Sequence, residues 1–203
     1  MAGRYEFVKQ PIEKYLGSLG SSDVSPGGGS AAALCGAMGA ALVEMTSRIN
    51  ARREFKKSGR ISAQARKNIA RAEALKKKFG MLMRLDTEAF LRLAAIPKDK
   101  RSSAVYARAL RHAAMVPIEI SRLAVRVLEI GVSEVPRTSA WLASDLAEAG
   151  ILLETAFFAG RLNAEINFKY IKDKKFVSAA VQELKVYEKK ARRLGKALGG
   201  ALR

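Results

Sequence analysis

The sequence contains very few of the side chains on which many enzymes build their chemistry. Its 203 residues include one cysteine, Cys35, and one histidine, His112. A single cysteine excludes an intramolecular disulfide, and a single histidine argues against a histidine-built metal site or a serine–histidine catalytic triad. Any catalysis therefore has to rest on carboxylates, lysines and backbone groups.

Long apolar runs are also missing. Although 49% of the residues are apolar, no continuous run is long enough to cross a bilayer. The first residues lack the basic-then-apolar pattern of a secretory signal. A chain of this length can bury a sizeable core in one domain. We therefore expect a cytoplasmic protein with a single domain over residues 1–203 and no membrane partner.

Acidic residues are scarce relative to basic ones. The chain has 19 Asp and Glu against 37 Lys and Arg, which gives a net charge of +18 at pH 7. The excess is concentrated between Arg48 and Arg84 and again between Lys185 and Lys196. The positive electrostatic potential around these stretches attracts nucleic acid, acidic membrane surfaces or a polyanionic small substrate. However, the chain has no zinc finger and no RNA-binding aromatic motif, and a charge run is more often a solvated helix face.

Every long segment has the apolar periodicity of an amphipathic helix, and no segment shows sustained alternation with a period of two. Ser62 and either Ser102 or Ser103 are candidate N-caps, and Pro117 should kink or divide its helix. The sequence therefore predicts an all-α bundle of about six helices, with approximate bounds 5–19, 30–53, 62–95, 103–131, 139–171 and 175–198.

A glycine-rich segment, 25–30, precedes the second predicted helix and reads Ser-Pro-Gly-Gly-Gly-Ser. Ser30 is a candidate N-cap, and the helix that follows is slim because small residues such as Gly36 and Gly39 line it. The N-terminus of such a helix offers N–H donors and a partial positive charge to an anion or a polar ring edge. The spacing matches neither a P-loop nor a dinucleotide fingerprint. A tight turn with close helix packing is the alternative interpretation.

Asp86 falls on the apolar stripe of the third predicted helix. A carboxylate among apolar neighbours pays a desolvation cost, so its pKa should be raised unless a cation or donor compensates. Such a group can exchange protons near neutral pH. The alternative is a buried structural ion pair.

Asp145 and Asn163 lie 18 residues apart on one predicted helix and therefore share a face, with Asn167 one turn further on. That separation spans about 27 Å, so the two ends cannot contact one small ligand from a single helix. A symmetric dimer could still use both ends in shared sites. The alternative is hydrogen bonding between helices, which is the preferred interpretation for Asn167.

Taken in order, these motifs resemble the formimidoyltetrahydrofolate cyclodeaminase and methenyltetrahydrofolate cyclohydrolase family. The resemblance covers nearly the whole chain, and the ordered set is more specific than any one motif. Its parts are segment 25–30 with Gly-Ala-Met-Gly-Ala-Ala-Leu at 36–42, Asp86-Thr87-Glu88-Ala89-Phe90, Val116-Pro117, Ser144-Asp145-Leu146, Asn163-Ala164-Glu165-Ile166-Asn167 and Ile171-Lys172-Asp173.

The resemblance implies an all-helical homodimer that acts on a folate, with or without a polyglutamate tail, and uses Asp86 as the general acid/base. It implies either cyclodeamination of 5-formiminotetrahydrofolate to 5,10-methenyltetrahydrofolate and ammonia, or the related cyclohydrolase reaction. Neither needs a metal or a cofactor beyond the tetrahydrofolate substrate. The substrate-binding residues it implies are Pro26, Gly27, Gly28, Gly29, Ser30, Asp145 and Asn163.

The chain departs from the family pattern near the expected site. Arg84 stands where the family often has a second acidic residue, and Thr138-Ser139 stands where a Gly-Asn pair is usual. A second hypothesis therefore remains open, in which a basic helical scaffold of the same fold has lost the chemistry. That scaffold would bind nucleic acid or another polyanion.

Overall fold

The computed structural model describes residues 7–200, and these residues form six α-helices and three short 3₁₀ turns without a β-strand. The all-α prediction and the number of helices are confirmed. The elements are the 3₁₀ turn Phe7–Lys9, α1 (Ile12–Leu19), α2 (Gly28–Ser58), α3 (Ala63–Ala94), the 3₁₀ turn Lys98–Lys100, α4 (Ala104–Glu134), the 3₁₀ turn Val135–Arg137, α5 (Ala140–Phe168) and α6 (Lys174–Gly199).

The first predicted helix, 5–19, is wrong at its N-terminal end. Its first two residues, Tyr5 and Glu6, lie outside the described residues, and the part from Phe7 onward is a 3₁₀ turn followed by Pro11 and then α1. Proline lacks a backbone N–H and disfavours helical backbone in the residue before it, so a helix cannot continue from the 3₁₀ turn through Pro11. The ring of Phe7 packs edge-on against Tyr15, with 5.4 Å between the centroids.

The predicted N-cap of the second helix is also wrong. Gly27, not Ser30, is the N-cap of α2, and Gly28 and Gly29 already belong to its first turn. The hydroxyl of Ser30 lies 3.2 Å from the hydroxyl of Tyr15 and is not used as a cap. Small residues allow the first turn to form this early because no side chain obstructs the neighbouring helices.

The caps of the later helices follow the sequence closely. The hydroxyls of Ser62 and Ser103 accept hydrogen bonds from the backbone N–H groups of Ala65 and Tyr106, which confirms both predictions. Pro117 does not divide α4, which runs unbroken across it. Because α4 packs against α2, α3, α5 and α6, tertiary contacts outweigh the local cost of the proline.

Helix α2 packs closely against two neighbours, α3 and α5. A Cβ added at Gly36 would lie 2.3 Å from the ring of Phe79, and one at Gly39 would lie 2.7 Å from the side chain of Leu153. Both partners are fully buried. The small residues of α2 therefore allow close helix packing, as the sequence predicts.

One helix within residues 7–200, α2, is long and apolar enough to span a membrane by length and composition alone. Half of its most apolar window is buried against the rest of the bundle. The expectation from the sequence concerned a continuous apolar run, and in α2 such a run is interrupted by Glu44. Its place in the core accounts for its composition.

Candidate active site

A cavity of about 320 Å³ opens where the glycine-rich segment meets the C-terminal parts of α3 and α5 and the first half of α4. Both polar and apolar groups reach it. Its walls are Val24, Ser25, Gly27, Gly28 and Gly29 from the segment before and into α2, Asp86, Phe90 and Leu93 from α3, Ala113 and Pro117 from α4, and Asn163, Ile166 and Asn167 from α5.

The carboxyl group of Asp86 lies directly against Gly29. A Cβ at this position would be 2.1 Å from Oδ1 of Asp86, so only glycine leaves room for the carboxyl. Burial raises the pKa of Asp86 to about 6, and the backbone N–H of Ser30 acts in the opposite direction. The arrangement therefore provides a carboxyl group that changes protonation state close to neutral pH.

Tyr15 supports this contact through Ser30. Its buried hydroxyl hydrogen-bonds with the hydroxyl of Ser30, whose backbone N–H faces Asp86. Burial raises the pKa of Tyr15, so this hydroxyl stays protonated at neutral pH. Tyr15 is absent from the predicted site because its place on the apolar stripe of the first helix marks it only as a core residue.

Two asparagines of α5 line the same cavity as Asp86. The side-chain amide of Asn163 donates to the backbone carbonyl of Ala159, and that of Asn167 donates to the carbonyl of Asn163, both at 2.8 Å. Hydrogen bonding between helices, preferred for Asn167 from the sequence, is therefore wrong, because both bonds stay within α5. The two amide oxygens remain free to accept hydrogen bonds.

The structure brings together most, but not all, of the predicted site residues. Asp86, Gly27, Gly28, Gly29 and Asn163 line one cavity. Ser30 contacts Asp86 through its backbone. The side chain of Pro26 is buried, and it borders a neighbouring cavity. Asp145 does not reach the cavity within one chain, because it lies five turns before Asn163 on α5.

The residues that depart from the family pattern do not contact Asp86. The guanidinium of Arg84 pairs with Glu88 at 2.6 Å. Thr138 lies beyond the C-terminal end of α4, where its hydroxyl accepts a hydrogen bond from Asn50. Neither departure therefore neutralises the carboxyl in the cavity.

Metal binding has no evident place in the described part of the chain. Within residues 7–200, no three histidine, cysteine, aspartate or glutamate side chains come together as a candidate metal site. The cavity instead combines one carboxyl, two amides, free backbone N–H groups at the start of α2 and an apolar wall. Such a lining fits a flat, polar-edged ring beside an exchangeable proton.

Comparison with known proteins gives a consistent result. Residues 11–186 match the family model described as formiminotransferase-cyclodeaminase. A methenyltetrahydrofolate cyclohydrolase of Methylorubrum extorquens is 30% identical over 183 residues, which cover 86% of this chain and 87% of that protein. A formimidoyltransferase-cyclodeaminase of Sus scrofa is 31% identical over 195 residues, but this chain spans only 35% of that longer protein.

The same fold occurs in a solved structure. A formiminotetrahydrofolate cyclodeaminase from Thermotoga maritima superimposes with a TM-score of 0.86 over 96% of both chains, at 23% sequence identity.

Proposed function

The chain belongs to the formiminotransferase-cyclodeaminase family, and from this premise we propose that it catalyses a folate one-carbon reaction through Asp86. The chain is an enzyme of the cyclodeaminase or cyclohydrolase type. The observation that carries the proposal is the contact between the Asp86 carboxyl and Gly29 at the edge of a cavity that fits a ring.

In the cyclodeaminase reaction, N10 of 5-formiminotetrahydrofolate attacks the formimino carbon and closes the five-membered ring. The amine formed on that carbon leaves as ammonia once it has accepted a proton. Protonated Asp86 supplies that proton, and a pKa of about 6 leaves about one tenth of the carboxyl protonated at pH 7.

In the cyclohydrolase reaction, water adds to the methenyl carbon of 5,10-methenyltetrahydrofolate. Ionised Asp86 accepts a proton from that water, and it is the major form at pH 7. Opening of the ring then returns the proton to the leaving nitrogen. Both reactions therefore use the same carboxyl, in opposite protonation states at the first proton transfer.

The other cavity groups hold the ring in place. The start of α2 at Gly28 and Gly29 presents backbone N–H groups to polar ring atoms. The amide oxygens of Asn163 and Asn167 accept from the N–H edge of a pterin, and Phe90 covers an apolar face. The proposal includes no metal and no cofactor beyond the tetrahydrofolate substrate, one domain over residues 1–203, and a cytoplasmic location without a membrane partner.

The enzyme hypothesis is preferred to that of a basic scaffold for nucleic acid. Several cations of the basic stretch are already paired: Arg48 and Lys76 both contact Glu44, and Lys77 contacts Glu73. Meanwhile the cavity retains the carboxyl on which the chemistry depends.

The first experiment is turnover by the purified protein on two substrates, followed through the absorbance of the methenyl group. With 5,10-methenyltetrahydrofolate, loss of absorbance above the spontaneous rate identifies a cyclohydrolase. With 5-formiminotetrahydrofolate, a rise in absorbance with ammonia release identifies a cyclodeaminase. If neither changes for a folded protein, while duplex DNA binds with strong salt dependence, the scaffold hypothesis replaces the proposal.

We further propose that the enzyme is a homodimer assembled through the outer face of α2. This face consists of the exposed or half-buried side chains Leu34, Met38, Ala41, Leu42 and Met45. They recur at helical spacing on a helix that is otherwise embedded in the bundle, so the same stripe on a second copy could pack against it about a twofold axis. Such a dimer could bring α5 of the second copy close to the cavity. Asp145 would then bind substrate in the site of the partner subunit.

Introducing two glutamates into this face should dissociate the dimer. We expect the wild type to show twice the 22.1 kDa chain mass by light scattering, and Met38→Glu/Met45→Glu to show the mass of one chain, because four negative charges, two from each chain, would be buried in the interface. Val186→Glu, on an exposed position of α6, is the matched control and should remain dimeric. A wild type that is monomeric at all concentrations would refute the dimer.

A further inference from the structure

The end of the hairpin formed by α2 and α3 carries a dense group of exposed basic side chains. Every basic residue between Asn50 and Ala72 is exposed, and none of them forms an ion pair within the described residues 7–200. We call this group the basic tip. Its members are Arg52, Arg53, Lys56, Lys57, Arg60, Arg66, Lys67 and Arg71.

The only acidic residue between Asn50 and Ala72, Glu54, holds the hairpin together instead of neutralising the basic tip. Its carboxylate accepts a hydrogen bond from the backbone N–H of Ser62 at 3.1 Å and pairs with Arg137 at 2.7 Å. After α2 the chain turns at Gly59, which has the left-handed conformation. The connection between the two helices is therefore held in one shape, and the basic tip is a preformed surface.

Like charges lie one helical turn apart in the basic tip. Three pairs are separated by four residues on one helix, namely Arg52 and Lys56, Arg53 and Lys57, and Lys67 and Arg71. Side chains at this spacing are neighbours, so each pair repels and lowers the stability of its helix. Further along α3, Glu73 compensates Lys77 at the same spacing. A bound polyanion would compensate the basic tip in the same way.

The basic tip lies far from the cavity that holds Asp86. Helix α2 runs unbroken from Gly28, at the edge of that cavity, so Arg52 lies about 36 Å away along the helix. No residue of the basic tip lines the cavity. Within one chain the tip cannot contact a substrate in the cavity, so its charge is available to another partner.

The composition of the basic tip favours the phosphate groups of a nucleic acid. Arginine predominates in it, and a planar guanidinium binds phosphate oxygens through paired N–H donors. Phe55, which is 54% exposed, is the one large apolar side chain exposed between Asn50 and Ala72. One ring among cations suits stacking on a base, whereas a helix that lies in a membrane surface presents a whole apolar face.

We propose that the basic tip binds single-stranded nucleic acid, with its cations on the phosphates and the ring of Phe55 stacked on a base. This second activity goes beyond the proposed function and does not depend on it, because it uses no residue of the cavity. Its affinity falls as the salt concentration rises, because each neutralised phosphate releases counterions.

The first test removes charge from the basic tip and, separately, from α6. A labelled oligothymidylate of about 15 nucleotides is titrated with each protein by fluorescence anisotropy. The tip variant is Arg53→Ala/Lys57→Ala/Lys67→Ala/Arg71→Ala. The matched control removes the same charge from exposed positions of α6 and is Lys185→Ala/Lys189→Ala/Arg193→Ala/Lys196→Ala. We expect binding more than about tenfold weaker and less steeply salt-dependent for the tip variant, and within about threefold of the wild type for the control.

The tip variant should fold and remain active. Alanine favours the helix and the like-charge pairs are gone, so its melting temperature should equal or exceed that of the wild type. Its kcat and KM for the folate substrate should not change. A raised KM would mean that the basic tip binds the substrate of the enzyme, and it would overturn the inference.

The second test concerns the ring. Phe55→Ala should bind the oligonucleotide about tenfold more weakly with unchanged salt dependence, because the ring carries no charge. Val186→Ala, at an exposed apolar position of α6, is the matched control. Equal weakening by both quadruple variants would mean attraction by the net charge alone, and preference for phosphatidylserine vesicles over the oligonucleotide would mean a membrane surface. Either result overturns the inference, as would wild-type affinity of Phe55→Ala.

Discussion

Asp86→Asn is expected to lower turnover of the folate substrate by about 10²–10⁴-fold, the usual contribution of a positioned acid or base. Asparagine has nearly the same shape as aspartate and can still accept a hydrogen bond from the N–H of Ser30. It cannot donate or remove a proton at the reacting carbon. The measurement is kcat by the methenyl absorbance, with the KM recorded to show that substrate still binds.

The same substitution should not weaken the fold. Burial raises the pKa of Asp86 from 3.8 to about 6, so the folded chain holds this proton more tightly than the unfolded chain does. The carboxyl therefore favours folding below about pH 4, and that contribution is lost as the pH rises through 6. At neutral pH the rise of the Asp86 pKa from 3.8 to about 6 lowers the free energy of unfolding by at most about 3 kcal/mol, because the ionised carboxyl is buried. Asp86→Asn should accordingly match or exceed the wild-type melting temperature at pH 8, with the gain shrinking towards pH 4.

Glu88→Gln is the matched control for Asp86→Asn, since it removes a carboxylate two residues further along α3. Glu88 pairs with Arg84 and does not line the cavity. Its loss should change turnover by no more than a few fold. Wild-type turnover by Asp86→Asn would show that another group performs the proton transfers.

Much of the fold could be predicted because its determinants are local. Apolar spacing and the hydroxyls of Ser62 and Ser103 place α3 and the start of α4 almost to the residue. The errors occur where tertiary contacts outweigh local preference. Ser30 has the chemistry of an N-cap, but its hydroxyl bonds with Tyr15, a partner 15 residues earlier in the chain.

The site was predictable to a similar extent and for a similar reason. Asp86 is visible from sequence because a charged residue interrupts an apolar stripe, and the glycines are visible because they are grouped. Their contact is not visible, because it depends on how α2 and α3 are placed together. Asn167 shares a helix face with Asn163 in the sequence, but only the packing of α4 against α5 shows that it lines the cavity.

Gly29→Ala is expected to reduce turnover by about 10²-fold, with much less effect on stability. The new methyl group would occupy the position of the Asp86 carboxyl, at 2.1 Å from Oδ1 and 2.5 Å from Oδ2. The carboxyl lies at the end of a short side chain, so it can rotate away and relieve the overlap. A displacement of about 1 Å from the reacting atoms is enough for a loss of this size. The kcat and the melting temperature of the variant are measured together.

A series of glycine positions makes the result specific to this contact. Gly17→Ala on α1 is the matched control, because a Cβ there meets nothing within 4 Å, and its turnover should equal that of the wild type. At Gly28 a Cβ would lie 3.3 Å from Oδ1 of Asn163, so Gly28→Ala should fall between the two. The order of the three activities follows the distance from the new methyl group to the nearest polar group of the cavity. If Gly29→Ala were as active as Gly17→Ala, the position of the Asp86 carboxyl against α2 would not matter for catalysis, and Asp86 could not be the group that transfers the proton from that position.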